Sequence, residues 1–340
     1  MKSKEIFATA GRFLGVALVV GLVALGGLVA LPGPSILAQQ PAAAQPQGFR
    51  EVTVTEIPGV IAGGMKWTQV WQAGGNNADG IVATADEGLL LAQEDLNQVT
   101  KLDKNGHATV FLSNTNGVGS VSIDSKGRVL GVERMVPRTV AYLAPEHKIL
   151  ADTFEGKPLG DLGRLNDLIA DKKGGAYFTV GGAYYASSSG KVTRIDDNLR
   201  TNGIILSRDE KTLYVTNGPE LVAFDVQPDG LVKNQRHFAK LEAGGNGDGS
   251  TIDAAGRIYV SSTAPGVQVF SPAGMYLGVI PTPWPIISTA FSGPGKKMLY
   301  IVANGARDGN GNEIHEGPQK IGRTIYKIPM LAQGFKGRAK

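Results

Sequence analysis

The sequence predicts an all-β fold, a ring of six four-stranded sheets, and three observations predict it. One phrase recurs six times: an apolar stretch, a turn of the Asp-x-x-Gly kind, then a second apolar stretch often carrying tyrosine. The copies run Gly80 to Gln93, Ser120 to Glu133, Asp167 to Val180, Gly203 to Asn217, Ser250 to Ser262 and Thr289 to Asn304. Their starts lie 40, 47, 36, 47 and 39 residues apart, which is the period of a propeller blade. No stretch between them is long and periodic enough for a core helix, so a six-bladed β-propeller is the expected architecture.

Each copy reads as two strands around a hairpin. In Thr251 to Ser261 an Asp-Ala-Ala-Gly turn separates runs rich in β-branched and aromatic residues, and Gly256 can supply the positive φ of such a loop. A third strand follows in most copies: Gln98 to Asp103, Lys191 to Asp196, Glu220 to Asp225 and Gly266 to Phe270 each close on turn residues. The last copy supplies three obvious strands, near Ile286 to Phe291, Met298 to Ala303 and Thr324 to Lys327. The alternating Glu51 to Thr55 either adds the fourth, closing the ring with both chain ends and leaving no open edge, or packs beside the domain.

The domain so defined spans 51–330, with a basic tail over 331–340. Residues 1–38 read as an export signal: Lys2, Lys4 and Arg12 precede an apolar run from Phe13 to Leu31, then Pro32 and Pro34. That run is long enough to span a bilayer, so an uncleaved anchor is the alternative to a cleaved signal peptide. Residues 39–50 form a Pro/Ala/Gln linker without the apolar content to fold. The expected location is periplasmic or secreted, or membrane-anchored through this segment.

Cysteine is absent, which excludes thiol catalysis and cysteine-ligated zinc; a domain of this size is stable without cross-links. The net charge is +4, falling to +2 once Lys2, Lys4, Arg12 and Glu5 leave with the signal, too little to argue for nucleic acid.

In a propeller the residues just before each innermost strand line one end of the central channel. Here they are 77–80, 116–119, 164–167, 201–203, 247–249 and 288–289, and several present Asp or Asn. Carboxylate and amide oxygens converging from separate blades are what a hard or borderline divalent cation requires. Glycine follows Asp79, Asn202 and Asp248, so the backbone there is expected to turn sharply and leave the oxygen pointing inward. Asn-Gly and Asp-Gly are also the commonest tight-turn dipeptides, and only their recurrence at one register favours ligation.

Arg164-Leu165-Asn166-Asp167, Asn202-Gly203-Ile204 with Lys211-Thr212-Leu213-Tyr214, Gly247-Asp248-Gly249 with Gly256-Arg257-Ile258-Tyr259-Val260, and Thr289-Ala290-Phe291 with Met298-Leu299-Tyr300 form an ordered series. The chain after residue 50 thereby resembles the gluconolactonase, or senescence marker protein (regucalcin-like), family. The resemblance implies a six-bladed propeller that hydrolyses lactones with one divalent cation, whether calcium, zinc, manganese, magnesium or ferrous iron. It implies that Asn202 and Asp248 are metal ligands, that Asp248 is the general base, and that Arg164 and Asn166 hold substrate oxygens. The family's usual Glu-Gly-Pro is replaced by Asp79-Gly80-Ile81, so the third ligand, Asp79, is one methylene shorter.

Other chemistries find little in the sequence. His107, His147, His237 and His315 stand singly on what read as outer strands or loops, no Gly-x-Ser-x-Gly elbow occurs, and no dinucleotide fingerprint appears. Asp308 to Glu313 lacks the glycine and glutamate of a calcium loop. Trp284, between two prolines before the sixth inner strand, is a candidate platform for a sugar ring, and Tyr184-Tyr185 is placed in a loop over the same opening. Two functions remain: an exported metal-dependent hydrolase of a sugar lactone or similar small cyclic ester, or a non-catalytic propeller that binds a ligand or partner.

Overall fold

The computed structural model describes residues 48–76, 78–263, 266–316 and 322–337. The leader, most of the linker, Asn77 and the last three residues of the tail lie outside them. Among the described residues six four-stranded antiparallel sheets form the blades. From the innermost strand outward, blade 1 is Ile81–Ala83, Leu89–Gln93, Gln98–Leu102 and Ala108–Ser113. Blade 2 is Val118–Ile123, Val129–Glu133, Thr139–Ala144 and Lys148–Ala151. Blade 3 is Leu168–Ala170, Ala176–Thr179, Ala183–Ala186 and Val192–Asp196. Blade 4 is Ile204–Leu206, Thr212–Asn217, Glu220–Val226 and Val232–Lys240. Blade 5 is Gly247–Ile252, Ile258–Ser262, Gly266–Phe270 and Tyr276–Pro281.

Blade 6 joins the two halves of the sequence. Ile286–Ser292, Met298–Asn304 and Gly322–Pro329 are followed outward by Thr68–Asn76. The ring is therefore closed as expected by an N-terminal strand, but by a later one than Glu51 to Thr55. Residues 51–55 form no strand; Val54 is buried and packs with Val60, Ile61 and Trp284 against blades 5 and 6. Thr68–Asn76 is the longer of the two and pairs along Gly322–Pro329 with two irregularities of register, between Gln69 and Trp71 and between Gln72 and Asn76.

The recurring aspartate builds the hairpin turn. Asp124, Asp171 and Asp253 each accept from two backbone N–H groups, two and four residues on, at 2.7–2.9 Å. The following glycines, Gly127, Gly174 and Gly256, sit at φ of 77°, 88° and 83°, as the turn requires.

Among the described residues the apolar core is divided into six clusters, each between two neighbouring blades. Ile81, Leu89 and Leu91 of blade 1, for example, pack on Ala290, Tyr300, Val302 and Ile325 of blade 6, and Val82, Leu90 and Val99 on Val118, Val121 and Val129 of blade 2. Because burial is satisfied between blades, the axis is left to polar side chains.

Two assignments shift in blade 3. Lys191 to Asp196 is the fourth strand there, because Tyr184 and Tyr185 occupy the third rather than a loop. Both tyrosines are buried, Tyr184 against Phe178 and Phe154, and Tyr185 donating to Asp171 at 2.8 Å. At the far end, Leu331 and Ala332 donate to the Val60 carbonyl, Gly334 to Lys296 and Phe335 to Ile252, which straps 331–335 across the domain.

Candidate functional site at the channel mouth

The segments preceding the inner strands meet at one end of the channel. Their glycines act differently from the expected sharp turns: Gly80, Gly203 and Gly249 are not among the positive-φ residues. They are glycine because the next blade is too close for a side chain. A Cβ on Gly203 would lie 2.0 Å from the Asp248 carbonyl oxygen, and one on Gly80 2.5 Å from Ser120 Oγ. Close approach of consecutive inner strands is what brings the flanking Asp79, Asn202 and Asp248 together.

Blades 3, 4 and 5 are linked by amides. Asn166 Nδ2 donates to Asn202 Oδ1 at 2.8 Å, and the Asn202 side chain in turn hydrogen-bonds the Asp248 carboxylate. Thr179 and Thr216 fix Asn202 through its carbonyl and its N–H, at 2.7 and 3.1 Å. Asp248 as a residue is only partly buried, but its carboxyl is enclosed. Burial first, then the charges of Asp79 and Asp167, push that carboxyl well above the usual carboxylate range, against the opposing pull of the Gly249 N–H and the Asn202 amide. Asp167 lies deeper, accepting from Ser120 Oγ at 2.6 Å and from the Leu168 and Ile204 N–H groups.

Blade 1 enters through Asp79, and its partner is a residue the sequence reading did not single out. Arg134, 1% exposed, donates to Asp79 Oδ2 at 2.5 Å and to Glu94 Oε2 at 3.0 Å from one nitrogen. Its Nε reaches the Leu165 carbonyl at 2.8 Å, and its other nitrogen reaches the Asn166 carbonyl and Oδ1 at 2.8 and 3.0 Å. Burial works against its charge, the carboxylates of Asp79 and Glu94 outweigh it, and the guanidinium is held above its ordinary value. Glu94 also takes Arg164, which is 55% exposed and bonds through Nε at 3.3 Å and through a terminal nitrogen. Arg323, on the third strand of blade 6, is near enough to Asp79 and Asp248 to feel both charges.

The mouth thus brings together Asp79, Arg164, Asn166, Asn202 and Asp248, and adds Glu94, Arg134 and Arg323. Glu94 and Arg134 begin the loops between the second and third strands of blades 1 and 2. Those loops rise at the same end of the channel as the segments before the inner strands, so extending the register argument to them would have found both. Trp284 does not join the group. It is 3% exposed, its indole N–H donates to Tyr326 Oη at 3.2 Å, Phe49 packs edge-on at 5.7 Å, and Gly305 abuts the ring. Its rings are covered by the core, so the stacking surface expected of it is not presented. The side chains of all four histidines are at least half exposed. Asp308 caps its own loop by accepting from the Asn310 and Asn312 N–H groups, while Glu313 accepts from Phe49.

The donor set fits a divalent cation in its chemistry: two carboxylates and an amide oxygen from three blades. Two arms are shared, because Arg134 already engages Asp79 Oδ2 and Asn166 Nδ2 already donates to Asn202 Oδ1. No group of three or more His, Cys, Asp or Glu side chains suited to a metal occurs among the described residues, so Asn202 is essential to such a site.

Residues 77–305 match the family described as SMP-30/Gluconolactonase/LRE-like region. Over 293 residues the chain is 25% identical to a gluconolactonase of Zymomonas mobilis, a match covering 72% of this chain and 78% of that protein. It is 28% identical over 186 residues to pentonolactonase XacC of Haloferax volcanii, covering 50% of this chain and 64% of the other. The structure of regucalcin from Agrobacterium tumefaciens, described as a calcium-binding protein, superposes with a TM-score of 0.63 at 18% identity, over 80% of this chain and 96% of that one.

Proposed function

Because the chain belongs to the SMP-30/gluconolactonase/LRE-like family, we propose that it is an exported hydrolase that opens a sugar lactone or a similar small cyclic ester at the channel mouth. The observation that carries the reading is the convergence of Asp79, Asn166, Asn202 and Asp248 from four blades beside the guanidinium groups of Arg134, Arg164 and Arg323. The relatives named gluconolactonase and pentonolactonase supply the substrate class. Export is supported by the sequence of residues 1–38.

Asp79, Asn202 and Asp248 would hold one divalent cation, which supplies Lewis acidity toward the lactone carbonyl and the attacking water. Asp248 acts as the base. It accepts a proton from water as the water oxygen bonds to the carbonyl carbon. The ring C–O bond then breaks, and the alkoxide that leaves takes the proton back, giving a hydroxy acid. Arg164 and Asn166 hold the hydroxyl and carbonyl oxygens of the substrate, and Asn166 is itself held by Arg134.

The test is hydrolysis of a panel of aldonolactones and simple γ- and δ-lactones by the purified protein, with and without chelator, beside elemental analysis. Chelator-sensitive opening of at least one lactone is expected. No turnover anywhere on the panel, with no metal recovered, would instead identify a binding propeller.

A further inference from the structure

We propose that Arg134 is a resident cation at the metal site, a positioning residue that holds Asp79 and Asn166 in place and at the same time weakens the site for a divalent ion. This inference rests on the reading of Asp79, Asn202 and Asp248 as cation ligands, and it deepens that reading by assigning the control of affinity to one side chain.

The fold is built around this guanidinium. A guanidinium has five N–H donors, and Arg134 uses five: one to Leu165, two to the carboxylates of Asp79 and Glu94, and two to the carbonyl and side-chain oxygens of Asn166. Those acceptors come from blade 1 and from the segment leading into blade 3, while Arg134 itself leaves blade 2, so one side chain joins three blades. Room for it is provided by Gly119, where a Cβ would lie 1.9 Å from Arg134 Cζ. An arginine so completely bonded is part of the frame of the mouth and not a surface charge that happened to fold inward.

Its position sets up a competition. The guanidinium and a divalent ion would draw on the same carboxylate, and Asp79 Oδ2 is already engaged. At 1% exposure the positive charge is poorly screened by solvent or salt. It cannot be relieved by raising the pH, because arginine does not deprotonate in proteins. A glutamate would bring one more methylene of reach; aspartate keeps the carboxylate back against Arg134. The compensating groups do not restore the balance, since Glu94 is divided between Arg134 and Arg164, and Arg323 adds a further positive charge close to Asp79 and Asp248.

The experiment is calorimetric titration of calcium and of manganese into the full chain, comparing the native protein with Arg134→Gln, Arg134→Lys and Gly119→Ala. Arg134→Gln removes the charge, and Gly119→Ala keeps the residue but pushes the guanidinium out of its slot. Each is expected to tighten binding of at least one of the two ions by about tenfold or more, the scale expected when a unit charge is withdrawn from a few ångströms away. Arg134→Lys, which keeps the charge, is expected to stay within about threefold of the native value on the same Coulombic ground. If one of the two charge-displacing variants does not fold, the other decides. Binding by Arg134→Gln or Gly119→Ala no tighter than native overturns the proposal, as does equal tightening by Arg134→Lys or the absence of binding in every variant. Lactone turnover by the native protein is measured separately, so a failed affinity prediction leaves the hydrolase reading standing, and a failed turnover assay leaves the affinity comparison intact.

Discussion

Asn166 Nδ2 donates to Asn202 Oδ1 across the boundary between blades 3 and 4, at 2.8 Å. The same Asn166 receives two bonds from Arg134, so it couples the buried guanidinium to the amide that contacts Asp248. Asn166→Ala removes the two side-chain bonds and leaves the carbonyl contact. It is expected to lower kcat/KM by about tenfold to a hundredfold, the value of one or two hydrogen bonds to charged or strongly polar groups. Steady-state kinetics on the best lactone of the panel checks this; unchanged kinetics would remove Asn166 from the site.

Asp248→Asn separates chemistry from stability. Turnover should fall by a factor of about a hundred or more, since the base is gone, and metal content should fall with it. The folded protein should nevertheless gain stability at neutral pH. The native carboxyl is pushed above its ordinary value, so its favourable contribution is complete only in acid and is lost as the pH rises through the folded value. The amide has no such loss. Melting curves in chelator should show the variant about 2–4 °C above native at pH 7, with the gap closing toward pH 4. A gap of the opposite sign would mean that the Asp248 charge is compensated.

Asp79→Ala leaves Arg134 with Glu94 as its remaining carboxylate. Breaking a buried ion pair on one side costs about 3–5 kcal/mol, and the surviving partner places the expected loss near about 3 kcal/mol. Urea denaturation measures it. A loss below about 1 kcal/mol, the range of exposed pairs, would show that the pair is not effectively buried.

Trp284→Phe distinguishes a packing residue from a substrate platform. The indole is enclosed by Phe49, Gly305 and Tyr326, so KM should stay within about twofold while stability drops by about 1–3 kcal/mol from the cavity and the lost bond. A large rise in KM without loss of stability would return Trp284 to the binding surface.

The closing strand gives a further prediction. A chain beginning at residue 67 retains Thr68–Asn76 and should fold into the complete ring, weakened by the loss of Val54, Val60 and Ile61 from their cluster. One beginning at residue 78 exposes the edge of Gly322–Pro329 and should aggregate or unfold without a cooperative transition, as unpaired edges do. Analytical size exclusion and thermal melts read the difference.

The blades were legible because the asparate-centred turn repeats at blade spacing, and turn chemistry is local. Asp124, Asp171 and Asp253 bind backbone within four residues of themselves, so a sequence window contains the whole motif. The placement of Asp79, Asn202 and Asp248 at the mouth was legible for a related reason, since Asp79 and Asn202 lie just before an inner strand and Asp248 at the start of one, and the repeat fixes where those strands fall. Arg134 was not, because its five acceptors lie 31–55 residues away in other blades and nothing near it announces a buried charge. Trp284 was misjudged on register alone: its backbone is near the mouth, but the side chain turns into the space between blades. The closing strand was misjudged by alternation, which Glu51 to Thr55 displays more cleanly than the bulged Thr68–Asn76 that pairs.

That pairing also sets the order in which the molecule can be finished. Thr68–Asn76 emerges from the ribosome before any blade and finds its partner, Gly322–Pro329, only after some 250 further residues have been made. Until then blade 1 has no neighbour on its open side, and the cluster of Ile81, Leu89 and Leu91 with Tyr300, Val302 and Ile325 cannot assemble. The last contacts formed are those that turn a row of sheets into a circle, so the pore is complete only once the two ends of the row have met.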